Sequence, residues 1–434
     1  MRASHLFYLL CLASIAMQAV MPAVLASDYI LEIFGNANMD DKIDEADATY
    51  IADVIASSMS PTTLSDANGD GKVDGRDIDQ VQRIINGTVE QLIVMDEANR
   101  TVRIDMPVKS VVPLVDRDAK ILGVLGATGL AVAVSDNIKD SKEYKATLPS
   151  LTDLESVGSW TEPDLEKLLQ IEPDLLIAYS TSAENINNSI GNRVAVLGFA
   201  SSTPHSTKDE LLKLSYVLNK RENAEIYFKE FHDKYLNIIK DRLVDIPDDD
   251  RLRVYIESNS GNYRTYNKNS VVQKLVDLAG GRHIFSDIEG NGAFATLGAE
   301  EIMKRNPDII IKYAEKNSSG YEVSDPSKME ALRNEILDRP ELAEVNAVKS
   351  GRVYVMSSYL SYGTDYPVLL LYWSKWLHPD LFRDMNPDEI HREYLSMFSE
   401  TNYSPENGEI FVYLGEEGQL NTPSREMIGG EKAA

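Results

Sequence analysis

From Gln91 onward, short apolar runs alternate with stretches in which apolar positions recur every three to four residues. That is the pattern of strands alternating with helices, and it predicts a parallel α/β sheet. Gln91–Met95 and Thr101–Ile104 flank Asp96-Glu-Ala-Asn-Arg100 and read as a hairpin. Val108–Leu114, Ala131–Ser135, Asp174–Tyr179 and Val194–Phe199 read as strands, with helices over Asp118–Leu125 and Glu162–Gln170. A second set follows: strands at Leu252–Glu257, Asp308–Tyr313 and Arg352–Met356, and helices at Val271–Ala279, Glu300–Arg305, Lys328–Asp338, Pro367–Trp376 and Pro387–Phe398.

Between the sets the texture changes. Leu211, Leu214, Leu218, Tyr227, Phe231, Tyr235 and Ile238 fall near helical spacing in a stretch without Pro or Gly. Residues 206–246 therefore read as one long helix or two nearly continuous ones, capped by Ser206 or Thr207 and ended by Ile246-Pro247. Each flanking set also contains the same unit. Glu166-Lys-Leu-Leu-Gln-Ile-Glu-Pro173-Asp174-Leu-Leu-Ile177-Ala-Tyr179 and Glu300-Glu-Ile-Met-Lys-Arg-Asn-Pro307-Asp308-Ile-Ile-Ile311-Lys-Tyr313 carry Glu, Pro, Asp, Ile and Tyr at identical spacing. The Pro ends a helix and the apolar run after Asp opens a buried strand. The fold class is thus α/β, with two Rossmann-like lobes (91–205 and 250–400) joined by a long helix (206–246) and followed by a polar tail (401–434).

The region before Gln91 has another grammar. Asp66-Ala-Asn68-Gly-Asp70-Gly71-Lys72-Val73-Asp74-Gly-Arg-Asp77 places side-chain oxygens at loop positions 1, 3, 5, 9 and 12, a Gly at 6 and a backbone carbonyl, that of Lys72, at 7. A calcium ion takes six to eight hard oxygen ligands, and this is the spacing that supplies them. Thirty residues earlier, Asn36-Ala-Asn38-Met-Asp40-Asp41-Lys42-Ile43-Asp44-Glu-Ala-Asp47 keeps the spacing with Asn at position 1 and Asp41 at position 6, so it is expected to bind more weakly. One amphipathic segment follows each loop, and no entering helix precedes either. A duplicated loop–helix unit with Asp at position 12 resembles a type I dockerin, a small all-α module over residues 31–88. That resemblance implies structural Ca2+ and a cohesin module as partner; the alternative is a calcium-stapled spacer.

Composition narrows the setting. The chain of 434 residues has 69 Asp and Glu against 43 Lys and Arg, a net charge of -26, which argues against nucleic acid as a partner. Residues 1–26 combine Arg2, an apolar run from Leu6 and Val24-Leu-Ala26, and read as a cleaved secretory signal peptide, with an uncleaved membrane anchor as the alternative. The single cysteine, Cys11, lies inside that run, so the remainder has no thiol for a disulfide or cluster. A secreted or cell-surface location and a monomer are expected.

The layout after Gln91 resembles the substrate-binding proteins of ABC importers for iron–siderophore, haem and cobalamin, the rigid-helix class of periplasmic binding proteins. The resemblance rests on Leu92-Ile-Val-Met-Asp-Glu-Ala-Asn-Arg-Thr-Val-Arg-Ile104, Lys109-Ser-Val-Val-Pro-Leu114, Val157-Gly-Ser-Trp160, Pro163-Asp-Leu-Glu166 through Tyr179, and Gly351-Arg-Val-Tyr-Val-Met356. It implies a metal-chelate ligand and an ABC permease as partners, with Glu166 and Glu300 docking on permease arginines. The sequence departs from the family at Pro113-Leu-Val-Asp116-Arg117, where a small residue and Pro are usual.

Ligands of open α/β sheets sit beyond the carboxyl ends of strands, here between the lobes. Asp116, Arg117, Trp160, Tyr263, Arg264, Tyr359 and Tyr362 are the candidate ligand contacts: aromatics suit flat chelates, and Arg suits their carboxylates. A solute-binding protein, not an enzyme, is expected, since GxSxG and P-loop motifs are absent and the histidines are dispersed. The alternatives are a surface-assembly component acting through the dockerin-like module, or a chelatase-like enzyme on the same bilobal fold.

Overall fold

The structure, a computed structural model, describes residues 29 to 415 apart from 192, 201–202, 269, 290–292, 362 and 404–408. The leader with Cys11, Tyr362 and most of the tail lie outside the described residues. The chain divides into two compact units at Thr88/Val89.

In the first unit, two loops each deliver the chain into one helix, α1 (Glu45–Ile55) and α2 (Gly75–Ile85). The two loop-to-helix junctions are built alike. Asp44 and Asp74 cap the helices. Asp47 accepts from Asp44 N at 2.8 Å and Asn38 N at 3.1 Å, while Asp77 accepts from Asp74 N at 2.8 Å and Asn68 N at 3.1 Å. The position-12 carboxylate therefore ties the helix start back to the loop, which satisfies donors that a helix N-terminus leaves open. Leu31, Ile33, Ile51, Leu64, Val81 and Ile84 form a small apolar core.

The second unit opens with an antiparallel hairpin, β1 (Gln91–Met95) and β2 (Thr101–Asp105). Asp96 organises its turn, accepting from Ala98 N, Arg100 N and Gly198 N. The first lobe is a parallel sheet of β3 (Val111–Pro113), β4 (Leu175–Tyr179) and β5 (Ala195–Phe199). Packed on it are α3 (Asp116–Val124), α4 (Leu165–Ile171) and α5 (Ser180–Ile190). The expected strand Ala131–Ser135 is reduced to isolated bridges from Ala131 to Val111 and from Val134 to Ser156. Its apolar residues bury Ala133 and Val134, but the neighbouring chain runs alongside for one residue at a time.

The connecting segment is two helices, α6 (Pro204–Val217) and α7 (Arg221–Tyr227), with α7 running through a π turn at Phe228–His232 into α8 (Asp233–Leu243). Asn219, at φ 53°, makes the break. The cap is Thr203, which accepts from Ser206 N with Pro204 at the first helical position, so the helix starts earlier than the Ser206 or Thr207 caps imply.

The second lobe centres on parallel β6 (Arg253–Glu257), β10 (Ile309–Ala314) and β11 (Val353–Ser357), with β10 in the middle. Short strands β7 (Arg264–Tyr266), β8 (Arg282–His283) and β9 (Phe294–Thr296) extend one side. Around this sheet lie α9 (Val271–Leu278), α10 (Ala299–Arg305), α11 (Ser327–Leu337), α12 (Tyr366–Leu377) and α13 (Pro387–Phe398). The stretch read as a polar tail contributes β12 (Val412–Tyr413), antiparallel to β11. The four apolar residues Ile410–Tyr413 account for this: Phe411 and Tyr413 are buried, and the surrounding polar composition hides so short a run.

The sequence echo has a structural reason. α4 and α10 are both seven-residue helices ended by a left-handed residue, Glu172 (φ 47°) and Asn306 (φ 44°), before the Pro. Asp174 then accepts from Lys109 N and Ser110 N ahead of β3, and Asp308 accepts from Arg253 N at the start of β6. In each lobe the Pro-Asp pair stops a helix and pins the neighbouring parallel strand. Among the described residues no helix is long and apolar enough to cross a membrane.

Candidate functional site

A cavity of about 530 Å³ opens at the carboxyl ends of the strands of both lobes. From the first lobe come Asp116, Arg117 and Lys120 on α3, together with Glu143 and Tyr144. From the second come Asn259 after β6, Glu315, Lys316 and Asn317 after β10, and Ser358, Tyr359 and Ser361 after β11. Parallel strands end together, so their following loops converge.

The lobes touch through charge. Lys316 reaches Asp116 across the cavity at 3.4 Å, both side chains partly exposed. Burial raises the cost of ionising Asp116, but Lys316, Arg117 and Lys120 outweigh it and hold its carboxyl below the ordinary range. At the floor, buried Lys120 donates to Asp365 at 2.9 and 3.0 Å and lies 3.0 Å from Glu143. Desolvation opposes its charge, yet the two carboxylates raise its pKa above the usual lysine value. Glu143 is pushed up by burial, with Lys120 opposing. Lys316 also stands 4.9 Å over the Tyr359 ring. Gly320 lets that ring in: a Cβ there would lie 2.4 Å from Tyr359 Cδ2.

Of the residues chosen from sequence, Asp116, Arg117 and Tyr359 line this cavity. Trp160, Tyr263 and Arg264 do not. Trp160 packs edge-on against Tyr179 at 5.6 Å, beside the first-lobe core. Tyr263 lies under the Arg339 guanidinium at 4.7 Å and donates its hydroxyl to Glu341. Arg264 reaches Ser260 Oγ at 2.7 Å and sits 4.2 Å over Phe294. The loop carrying them is pinned from below: Glu257 accepts from Tyr263 N at 3.1 Å and binds Arg339 and Lys312, and Lys312 donates to Ser258 O at 2.9 Å. Aromatic type drew the eye to the wrong side of this loop, whereas Asn259 is the residue facing the cavity. The strand-end rule also reaches Glu315, Lys316, Asn317, Ser358 and Ser361. Lys120, Glu143 and Tyr144 carry no sequence signal for the site: Lys120 lies one turn into α3, past the strand end, and Glu143 and Tyr144 come from a separate helix, Lys142–Thr147.

Glu166 and Glu300 occupy the same position, the second residue of α4 and of α10, and both are exposed. In the first unit, Asp66 accepts from Asp70 N and Gly71 N, while Asn36 donates to Leu31 O at 2.8 Å and Asp40 O at 2.6 Å. The two loops thus fill position 1 differently.

Two α/β lobes with a polar cavity at their facing strand ends define a solute-binding protein of the kind that serves ABC importers. The comparisons with known proteins agree. The chain belongs to the periplasmic binding protein family, whose model matches residues 111–360. It is similar to the molybdate-binding protein MolA of Haemophilus influenzae, 24% identical over 344 residues that cover 73% of this chain and 93% of that protein. It is also similar to the Fe(3+)-citrate-binding protein YfmC of Bacillus subtilis, 25% identical over 290 residues that cover 66% of this chain and 81% of that one. Among solved structures, the TroA-like periplasmic binding protein FepB of Veillonella parvula shares the fold, with a TM-score of 0.62 and 18% identity over 74% of this chain and 99% of that one.

Proposed function

We propose that this protein captures a compact anionic metal complex outside the cytoplasmic membrane and hands it to an ABC permease. The observation that carries this is the pairing of Arg117 and Lys316, one from each lobe, around a single cavity of about 530 Å³. Lys120 is held by Glu143 and Asp365, and Arg117 and Lys316 bring positive charge to the cavity wall from opposite sides, Lys316 paired with Asp116 at 3.4 Å. Asn259, Asn317, Ser358 and Ser361 add neutral hydrogen-bonding groups. Tyr359, 5% exposed, offers little of the broad aromatic floor that a haem or corrinoid face would cover. A ferric hydroxycarboxylate or a metal oxyanion suits a wall of charged and hydrogen-bonding groups better than a macrocycle does. The names of the two relatives, for ferric citrate and for molybdate, support the same class. Calorimetric titration of the chain with ferric citrate, molybdate, haemin and cyanocobalamin tests it: saturable binding of an anionic complex is expected, and binding of only a macrocycle overturns it.

Glu166 and Glu300 are the proposed contacts with basic residues of the permease, supported by their matched exposed positions. Reversing both charges should abolish solute uptake while leaving solute binding intact.

For the first unit we propose structural calcium and a dockerin-like docking role toward a cohesin module. The loop spacing and the duplicated loop–helix units support it. The second loop offers carboxylates at positions 1, 5, 9 and 12, and its Arg76 pairs with Asp70 at 2.6 Å and Asp74 at 2.7 Å, charges that an entering cation would compete for. In the first loop the Asn36 amide already joins Leu31 O to Asp40 O. One tight and one weak calcium site are expected in a chelator titration; two equal sites, or none, would overturn that assignment.

A further inference from the structure

Lys120 faces the cavity, yet it has nothing left to give a ligand. Its three donors are spent on Asp365 Oδ1 and Oδ2 at 3.0 and 2.9 Å and on Glu143 at 3.0 Å, with the Tyr359 carbonyl at 3.4 Å. All three charged groups are buried: Lys120 is 7% exposed, Glu143 5% and Asp365 2%. Lys120 and Glu143 belong to the first lobe, and Asp365 to the second, where it immediately precedes α12.

The residues beside Asp365 are held from a third direction. Tyr227 donates its hydroxyl to Thr364 O at 2.8 Å, and His232 Nε2 meets the Tyr366 hydroxyl at 2.6 Å; both come from the connecting helical segment. Thr364 Oγ1 meets the Tyr394 hydroxyl at 2.6 Å. Gly363, at φ 110°, passes so close to Lys120 that a Cβ would lie 2.8 Å from its Cδ. First lobe, connector and second lobe therefore converge on four consecutive residues, and the segment just before them, Ser358 to Ser361, is a wall of the cavity.

We infer that Lys120 is a positioning residue: it ties the first lobe to Tyr359 and Asp365 of the second and so presets the width of the cavity before any solute arrives. This rests on the reading of the cavity as the solute site. A buried ammonium shared by two buried carboxylates holds its geometry because withdrawing it would strand both carboxylates in the interior. With the tie cut, the binding-competent spacing becomes a fraction of the population, and apparent affinity falls by that fraction.

The test uses the full chain with Cys11→Ser, which leaves no cysteine. Spin labels go on Glu184→Cys in the first lobe and Glu344→Cys in the second, both exposed positions. Lys120→Met removes the tie, and Lys120→Met with Glu143→Gln and Asp365→Asn removes it without stranding buried charge, so that loss of folding does not decide the outcome. By double electron–electron resonance without solute, the parent should give one narrow interlobe distance and both folded variants a broadened one. Ferric citrate affinity should fall about tenfold or more in both. Unchanged distances in the folded triple variant overturn the inference, and so do loosened lobes with undiminished affinity. If the parent itself fails to bind ferric citrate, the assignment of the solute falls, while the distance measurement still decides whether Lys120 ties the lobes.

Discussion

Two buried ion triads sit near the cavity, and they are mirror images in charge. Inside the second lobe, Glu257 is shared by Lys312 at 2.9 Å and Arg339 at 2.7 Å. Between the lobes, Lys120 is shared by Glu143 and Asp365. The first holds one carboxylate between two cations on β6, β10 and the chain after α11, and it pins the loop Ser258–Tyr263. The second holds one cation between two carboxylates and pins one lobe to the other. The same chemistry therefore makes a lobe rigid in one place and fixes the spacing of two lobes in the other. The difference lies in which elements the partners ride on.

The largest expected effect comes from breaking the triad inside the lobe. Burial works against an ionised Glu257, but Arg339 and Lys312 hold its carboxyl below the ordinary range. Glu257→Gln leaves buried Lys312 without its counter-ion and Arg339 with Glu335 alone, and should cost about 3–5 kcal/mol, read from the urea midpoint at unchanged slope. Removing one partner from the interlobe triad should cost less, because Lys120 keeps the other: Glu143→Gln is expected to lower stability by about 1–3 kcal/mol. If the two substitutions cost the same, the distinction between an intralobe and an interlobe triad has no energetic content.

The paired Pro-Asp units offer a smaller contrast. Asp174 accepts from Lys109 N, Ser110 N and Ser110 Oγ, so an amide oxygen can replace it. Asp308 also binds the Arg253 guanidinium, which, against the opposing effect of burial, holds its carboxyl down to about 2. Asp308→Asn should cost about 1 kcal/mol after allowance for solvent exposure, and Asp174→Asn close to nothing. The Asp308 contribution is present above the ordinary carboxylate pKa and is lost as the pH falls through about 2, so the two substitutions should converge in strong acid.

A last contrast is acid against base. Asp118, beside Arg117 on α3, is buried and its carboxyl is pushed up to about 7, while Glu210 on α6 is raised as well by burial and by Asp118. Glu97 in the hairpin turn, likewise pushed up to about 7 by burial, adds to the cluster, and Arg117 opposes it. A carboxyl whose folded pKa is raised stabilises the fold below its unfolded pKa and loses that contribution as pH rises through the folded value. Stability should therefore decline between about pH 4 and 7, and Asp118→Asn, which keeps an acceptor for Val115 N, should flatten the decline in urea titrations across that range.

How far the sequence reached follows from what each signal encodes. The echo around Pro173 and Pro307 was legible because a helix stop, a pinned strand and a buried apolar run each demand a residue type at a fixed spacing. The position of the cavity was legible from strand ends. Its composition was legible only where a strand end delivers the residue, as for Asp116, Arg117 and Tyr359. Side-chain type alone draws in Trp160, Tyr263 and Arg264, while their contacts turn them toward Tyr179, Arg339 and Phe294. Lys120 and Asp365 lie 245 residues apart, and no local pattern encodes a pairing at that separation. Periodicity is silent on the break at Asn219, since one left-handed residue interrupts a helix without changing its apolar spacing.

The proposed function stands on cations from opposite lobes holding one anionic solute in one cavity. Titrating ferric citrate into the parent chain and into Arg117→Met, Lys316→Met and the double variant tests it most directly. Each single change should weaken binding about tenfold to a hundredfold, the worth of a charged hydrogen bond, and the double variant should lose saturable binding while remaining folded. Undiminished binding in the double variant would contradict the claim.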